Sequence, residues 1–352
     1  MEENTDLSDL HARLQSMARE GASPGLADDA ARLAQTALSI GEGAPARLRI
    51  GMMNRAFQEL HRSALLFASH SDIRKVAVFG SARATPEQAE YEIAALLAAE
   101  FVRSGFMVIT GAGPGIMAAA QAGAGAGASF GLRILLPFEN RVNETIQGDP
   151  KLLEFEYFFT RKLSFAWESN AYVLFPGGMG TLDETFEILT LMQTGKMPMV
   201  PVAMIERPGG KYWEGWRRFV TEGLLAGGHI SAQDLNLVHV CRDIADAVQH
   251  VCRFYRVFHS YSWHGDELRI LIQEPLTCGS VAALNITFAS LLCRGRIEQV
   301  RASNLPSSPP CRNPHTLNLI PRARCFGELR LLIDAINTLP LEASADPSVT
   351  RV

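Results

Sequence analysis

The sequence predicts an α/β protein: a doubly wound parallel sheet, preceded by a helical segment and followed by a small α+β unit. Three observations carry this expectation. From Lys75 onward, short uninterrupted apolar runs alternate with longer helical patterns, as in a parallel sheet covered on both faces. Three of those runs end in glycine: Phe79-Gly80-Ser81, Thr110-Gly111-Ala112-Gly113 and Phe175-Pro176-Gly177-Gly178. The 352 residues, 47% apolar and 20% charged, suit an ordinary globular chain of two to three folded units.

Taken in order, residues 1–70 read as helices, with three- and four-residue apolar spacing in Leu7–Arg19, Gly25–Leu38 and Pro45–Ala68. Residues 71–260 carry the alternating pattern. Strands are expected at Val76–Phe79, Phe106–Thr110, Ser129–Leu136, Phe155–Phe159, Ala171–Phe175, Val200–Ile205 and Leu237–Val240. Helices are expected at Pro86–Arg103, Pro114–Ala122, Arg161–Ser169, Leu182–Gln193, Tyr212–Leu225 and Ile244–Tyr255. Residues 261–340 change again: strand Leu268–Ile272, helix Ser280–Cys293, strands Arg296–Arg301 and Leu317–Arg324, helix Gly327–Asn337. A Ser- and Pro-rich loop, Ser303–Pro314, interrupts the strands. This β-α-β-β-α order fits a ferredoxin-like unit without an obvious last strand. Residues 341–352 read as a loose tail.

Composition narrows the function classes. A net charge of −4 gives no electrostatic case for nucleic acid or an anionic membrane surface. Met1-Glu2-Glu3-Asn4 is acidic where a signal peptide is basic, and no uncharged apolar stretch reaches spanning length, so a cytoplasmic location is expected. The six cysteines all lie beyond residue 240 without a C-x-x-C pair, and the nine histidines show no ligand spacing. Neither structural disulfides nor a metal is expected.

The densest constellation is Leu174-Phe175-Pro176-Gly177-Gly178-Met179-Gly180-Thr181-Leu182-Asp183-Glu184. A buried strand runs into glycines and then a helix, whose unpaired N–H groups and positive dipole end suit a phosphate. No Gly-Lys-Ser/Thr follows, so this is not a Walker loop. Thr181-x-x-Glu184 also has the spacing of a capping box, which would turn the Glu184 carboxylate onto its own backbone. The other reading sets Glu184 beside an anion loop, within reach of a sugar attached to the phosphate. Thr160 reads as a cap that places Arg161 and Lys162 in the first turn of a helix, where cations oppose the dipole by typically about 0.3–1 kcal/mol each. They are either solvated surface charges or the partners of an anion or of Glu184. Gly111-Ala112-Gly113-Pro114-Gly115-Ile116 is a weak dinucleotide signal, since the third glycine of that motif falls at Ile116.

Pro176-Gly177-Gly178-Met179-Gly180-Thr181-x-x-Glu184, preceded by Arg161-Lys162, resembles the signature of the LOG (LONELY GUY) phosphoribohydrolases, long labelled putative lysine decarboxylases. The resemblance takes in Val78-Phe79-Gly80-Ser81, Thr110 through Met117, Leu136-Pro137-Phe138-Glu139 and Gln193-Thr194-Gly195-Lys196, and covers roughly residues 45–258. It implies a Rossmann-like fold, at least a homodimer, no cofactor, and hydrolysis of the N-glycosidic bond of nucleoside 5′-monophosphates, either cytokinin riboside monophosphates or AMP. Arg161 and Glu184 take the catalytic places. Glu139, Lys162, Gly178, Met179, Gly180, Thr181 and Thr190 take substrate-binding places. Gly80, Ser81, Gly113, Gly177 and Asp183, at or beside the same strand ends, complete the candidate set. No lysine stands where a Schiff base is expected, so decarboxylation is rejected. The alternatives are a non-catalytic carrier of a nucleotide or molybdenum cofactor, as some relatives are, and a broad regulated nucleotide nucleosidase.

Overall fold

The computed structural model describes residues 46–137, 141–301 and 314–342, with a few isolated positions before them. The helices expected at Leu7–Arg19 and Gly25–Leu38, the loop Ser303–Pro314, Glu139 and the tail lie wholly or largely outside the described residues. Residues 62–352 form one compact unit holding both sheets, and helix α1 (Ala46–Ala68) ends inside it. In that last turn Phe67 is buried, its ring 4.6 Å from that of Phe130.

The main sheet has seven strands, all parallel: β1 (Lys75–Phe79), β2 (Met107–Thr110), β3 (Ser129–Ile134), β4 (Leu152–Phe155), β5 (Ala171–Leu174), β6 (Val202–Met204) and β7 (His239–Val240). Their order is β4-β3-β2-β1-β5-β6-β7. The chain therefore works outward from β1 to β4, then returns to lay β5 on the other side of β1. The reversal opens a crevice between the carboxyl ends of β1 and β5, where open α/β sheets bind ligands. Both faces are covered, as the apolar runs require. Val76, Ala77, Val108, Ile109, Tyr172 and Val173 are completely buried. The strands alternate with α2 (Ala89–Arg103), α3 (Ile116–Ala124), α4 (Phe158–Glu168), α5 (Met179–Gln193), α6 (Tyr212–Phe219) and α7 (Ile244–Phe254). Among the described residues no helix is long and apolar enough to cross a membrane, and Cys241, Cys252, Cys278, Cys293 and Cys325 are free.

Several boundaries differ from expectation: the helix expected at Ser280–Cys293 ends at Thr287, with Leu292 and Cys293 opening the next strand, and the helix expected at Tyr212–Leu225 is α-helical only to Phe219. Two others bear on the site. The run Phe155–Phe159 is not one strand. Register with β3, from Gly131↔Leu152 to Ile134↔Phe155, ends β4 at Phe155, and α4 starts at Phe158. Aromatic residues favour strands only where a neighbour buries them, and Phe158 and Phe159 are about half exposed. Thr160 consequently lies inside the first turn rather than capping it, and its Oγ1 donates to the carbonyl of Tyr157 (2.9 Å). Helix α5 begins at Met179, three residues before the apolar periodicity suggests, with Gly178 at the N-cap.

The second sheet is antiparallel, in the order β10-β11-β9-β8, from β8 (Phe258–His264), β9 (Glu267–Ile272), β10 (Leu292–Arg301) and β11 (His315–Pro321), with helices α8 (Cys278–Thr287) and α9 (Phe326–Ile336). The strand that the β-α-β-β-α pattern lacked comes from upstream: β8 forms a hairpin with β9 and takes the edge. Its sequence, Phe-His-Ser-Tyr-Ser-Trp-His, interleaves aromatics with polar residues and shows no apolar run. The apolar core is continuous from the main sheet into this one.

Asn337, just past α9, ties the two together. Its buried Oδ1 accepts from the N–H groups of Val257 (2.8 Å) and Phe258 (3.0 Å), and its Nδ2 donates to the carbonyl of Phe254 (2.6 Å). Asn337→Ala strands these buried groups at about 1–3 kcal/mol for each one left unsatisfied. Denaturant unfolding is expected to show a loss of roughly 3 kcal/mol or more, and a loss under about 1 kcal/mol would mean that water replaces the side chain.

Candidate active site

The three glycine-ended strands converge. Ser81 N–H donates to the carbonyl of Pro176 (3.0 Å), and Ile116 N–H donates to the carbonyl of Ser81 (3.0 Å). Gly115 has φ +70°, and a Cβ there would lie 2.2 Å from the Ser81 oxygen, so only glycine permits the approach. Ala112, fully buried, is held at φ +61°, a costly conformation for a residue with a side chain; its N–H donates to Thr110 Oγ1 (2.9 Å).

These loops and the start of α5 enclose a cavity of about 690 Å³. Of the expected site residues, Gly80, Ser81, Arg161, Gly178, Met179, Gly180, Thr181 and Glu184 line it. Gly178 and Gly180 have nothing within 4 Å of where a Cβ would stand. Packing therefore does not explain them, although glycine inside a helix costs about 1 kcal/mol relative to alanine. What they provide is bare backbone at a helix N-terminus, facing open space.

Glu184 is not a cap. With α5 starting at Met179, Thr181 lies within the helix, and the Glu184 carboxylate pairs with Arg161 instead, Nη2 to Oε1 at 3.3 Å. The side chains keep only 13% (Arg161) and 5% (Glu184) of their exposure, so neither is a solvated surface charge. Burial pushes the Glu184 carboxyl up to about 7, against the pull of Arg161 and Lys162. Burial likewise lowers Arg161, opposed by Glu184 and Asp183. The contact is single-pronged, and Arg161 Nε is buried without a hydrogen-bond partner. The Arg161 guanidinium sits 5.4 Å from the Phe158 ring centre and 5.8 Å from that of Phe165.

Other expected residues stand behind the lining. Lys162 forms ion pairs with Asp183 (2.8 Å) and Glu187 on the outer side of α5. Gly177 accepts the Tyr212 hydroxyl (2.7 Å), and Gly113 accepts Asn143 Nδ2 (3.1 Å). Thr190 is exposed, bonds back to the Phe186 carbonyl (2.7 Å) and borders a separate apolar cavity of about 160 Å³. Glu139 lies outside the described residues.

Sequence reasoning missed Phe79, Ala82, Arg83, Gly111 and Met117 among the lining residues. The signal for Arg83 was present: a cation three residues past the glycine that ends β1. Among the described lining residues the cations are Arg83 and Arg161, and there is no lysine. No group of three or more His, Cys, Asp or Glu among the described residues is arranged to hold a metal.

A family model described as "possible lysine decarboxylase" matches residues 115–251, well under half of the chain but including α4, the glycine loop and Glu184. No curated protein matches. Solved structures with a similar fold include a molybdenum cofactor carrier protein from Chlamydomonas reinhardtii (21% identity, 50% of this chain and 94% of that one, TM-score 0.34). A molybdenum cofactor binding protein from the phototrophic bacterium Rippkaea orientalis is similar at 19% identity, over 51% of this chain and 94% of that one, TM-score 0.35. DNA processing protein A from Helicobacter pylori is similar at 15%, over 51% and 80%, TM-score 0.36.

The raised Glu184 carboxyl has a consequence for stability. Its folded value, about 7, exceeds the ordinary 4.5, so between those pH values the folded chain binds more protons than the unfolded one. Stability from this group therefore falls as pH rises across that window. Unfolding free energies of the wild type minus Glu184→Gln are expected to decline between pH 4.5 and 7.5. A flat difference would place the carboxyl at its ordinary value.

Proposed function

We propose that this protein hydrolyses the N-glycosidic bond of nucleoside 5′-monophosphates, releasing the base and ribose 5-phosphate. The observation that carries the reading is the buried Arg161–Glu184 pair in a cavity whose wall is the glycine-rich start of α5. The family match supports it, because its description is the older label of the phosphoribohydrolases that the motifs resemble. Decarboxylation through an amine-linked aldehyde cofactor fits the lining poorly, since its cations are arginines, which form no such linkage.

The chemistry follows from charge. As the ribosyl C–N bond lengthens, positive charge grows on the sugar, and a carboxylate beside it stabilises the transition state more than the ground state. Glu184 is assigned this role, together with orienting the water that adds to C1′; the base leaves with the bonding pair, the water's proton passes to the carboxylate, and from there it reaches the departing base nitrogen through solvent, which restores the ionised carboxylate. Arg161 favours the ionised form of Glu184 against burial and holds the substrate's oxygens with its remaining donors. The backbone of Gly178, Gly180 and Thr181, with Ser81 and Arg83 opposite, would anchor the phosphate, and that binding energy supports distortion at the reacting carbon. Lys162, Asp183 and Glu187 brace the α4–α5 pairing from behind. We assign this chain to the cytoplasm as a homo-oligomer of at least two copies.

The test incubates the full chain with AMP, other nucleoside monophosphates, isopentenyladenosine monophosphate and unphosphorylated nucleosides, with free base measured by chromatography. Turnover of the monophosphates is expected, with nucleosides at least tenfold poorer. Glu184→Gln is expected to lower kcat by a hundredfold or more while nucleotide binding persists. Equal turnover by the variant would return Glu184 to a purely structural pairing. Because the ionised carboxylate is the active form, kcat/KM is expected to rise with pH and level off above about 7.

Gly180→Ala separates binding from folding. It is expected to raise unfolding stability by up to about 1 kcal/mol while weakening AMP binding. Unchanged affinity would remove the helix start from the phosphate site.

A further inference from the structure

At the β7 edge of the main sheet, a second cleft of about 360 Å³ opens between α7, α9 and the short helix Ala232–Leu237. Its wall carries His239, His250, Arg253, Arg330 and Asp334. An adjoining cleft shares Arg253, Asn337 and Thr338 and adds Arg256. Two guanidiniums and one carboxylate thus line the first cleft, and a third guanidinium lines its neighbour.

Arg330 is the anomaly. It keeps 1% of its exposure, and a buried cation needs strong compensation. It receives only part of it. Nε donates to both oxygens of Asp334 (3.1 and 3.0 Å), a carboxylate still 42% exposed; Nη2 lies 3.3 Å from His250 Nε2; and the guanidinium rests 5.0 Å from the Phe254 ring centre. Nη1, with two donor hydrogens, is buried without a partner. His250 stacks on His239 at 4.5 Å, and burial first, then Arg330 and His239, push it down to about 3. It therefore stays neutral and adds no charge of its own. His239 is already engaged with Asp246 (3.3 Å), which also binds Arg242. Arg256 spends its donors on the carbonyls of Asn337 and Leu339, leaving its charge uncancelled. Arg253 is exposed, and no ion pair holds it among the described residues.

We propose that this cleft is a second ligand site, selective for a small molecule bearing a phosphate, with Arg330 and Arg253 as its principal anchors. Across the two adjoining clefts the guanidiniums exceed the carboxylate by two charges, which matches a phosphate dianion, whereas a monocarboxylate would leave one cation uncompensated. Planar guanidiniums with free donors suit phosphate oxygens. The volume leaves room for an organic group no larger than a sugar or a mononucleotide. The site is built from elements that also reach α5: Asp234, in the short helix that borders the cleft, accepts from Gln193 Nε2 (2.7 Å) at the end of that helix.

The test is calorimetric titration of the full chain with inorganic phosphate, then ribose 5-phosphate, in a buffer without oxyanions, with acetate and ribose as controls. Two classes of phosphate site are expected in the wild type. Arg253→Gln, an exposed substitution that spares the core, is expected to weaken one class at least tenfold. Arg83→Gln is expected to weaken the other and leave the first intact, so failure of either site is read separately. The ring signal of His250, assigned by its loss in His250→Gln, is expected to shift on phosphate addition in Arg83→Gln but not in Arg253→Gln. Overturning results are a single phosphate class indifferent to Arg253→Gln, acetate binding as tight as phosphate, or no His250 response.

Discussion

The structure depends on how closely three strand-end loops approach one another at the reversal of the main sheet. Two backbone hydrogen bonds, Ser81 to Pro176 and Ile116 to Ser81, join loops that are far apart in sequence. The second forms only because Gly115 accepts a positive φ with no side chain in the way. Once those loops are tied, the start of α5 has a fixed place opposite β1, and the cavity is its consequence. The strained Ala112 beside them shows how tightly the surrounding fold dictates the geometry.

Charge is arranged around this cavity in two layers. The inner layer is one cation and one anion in contact, both withdrawn from water, so that burial outweighs their attraction for each other. The outer layer, Lys162 with Asp183 and Glu187, is a more hydrated network that fixes α4 against α5. Distributing roles in this way leaves the inner pair responsive to a ligand. A charge entering next to it changes the balance more than it would in water.

Much of the fold was legible because parallel strands buried on both faces leave continuous apolar runs, and those at β1, β2 and β5 ended in glycine. What escaped was decided by context. Phe158 and Phe159 look like strand residues until register with β3 ends β4 before them. Thr181 and Glu184 look like a capping box until the helix starts three residues earlier, at glycines whose weak propensity hid its first turn. β8 hid its identity because its aromatics alternate with serine and histidine. At the site, the glycine loop and the Arg161–Glu184 pair could be located from the motif. Arg83 carried a signal only in its place three residues past the glycine after β1, and the roles of Lys162 and Thr190 depended on which face of their helices met the cavity.

Helix α5 has a property that follows from its ends. Its fifteen residues make a rod of about 22 Å. One tip borders the cavity. Just beyond the other, the Phe326 ring of α9 leaves no space for a side chain on Gly195, and Gln193 is bonded to Asp234. A rod gripped at its tail transmits tilt rather than absorbing it. Helix α9 and the short helix Ala232–Leu237 are therefore part of the alignment of the glycine loop, and a change at either reaches the cavity through the tilt of α5.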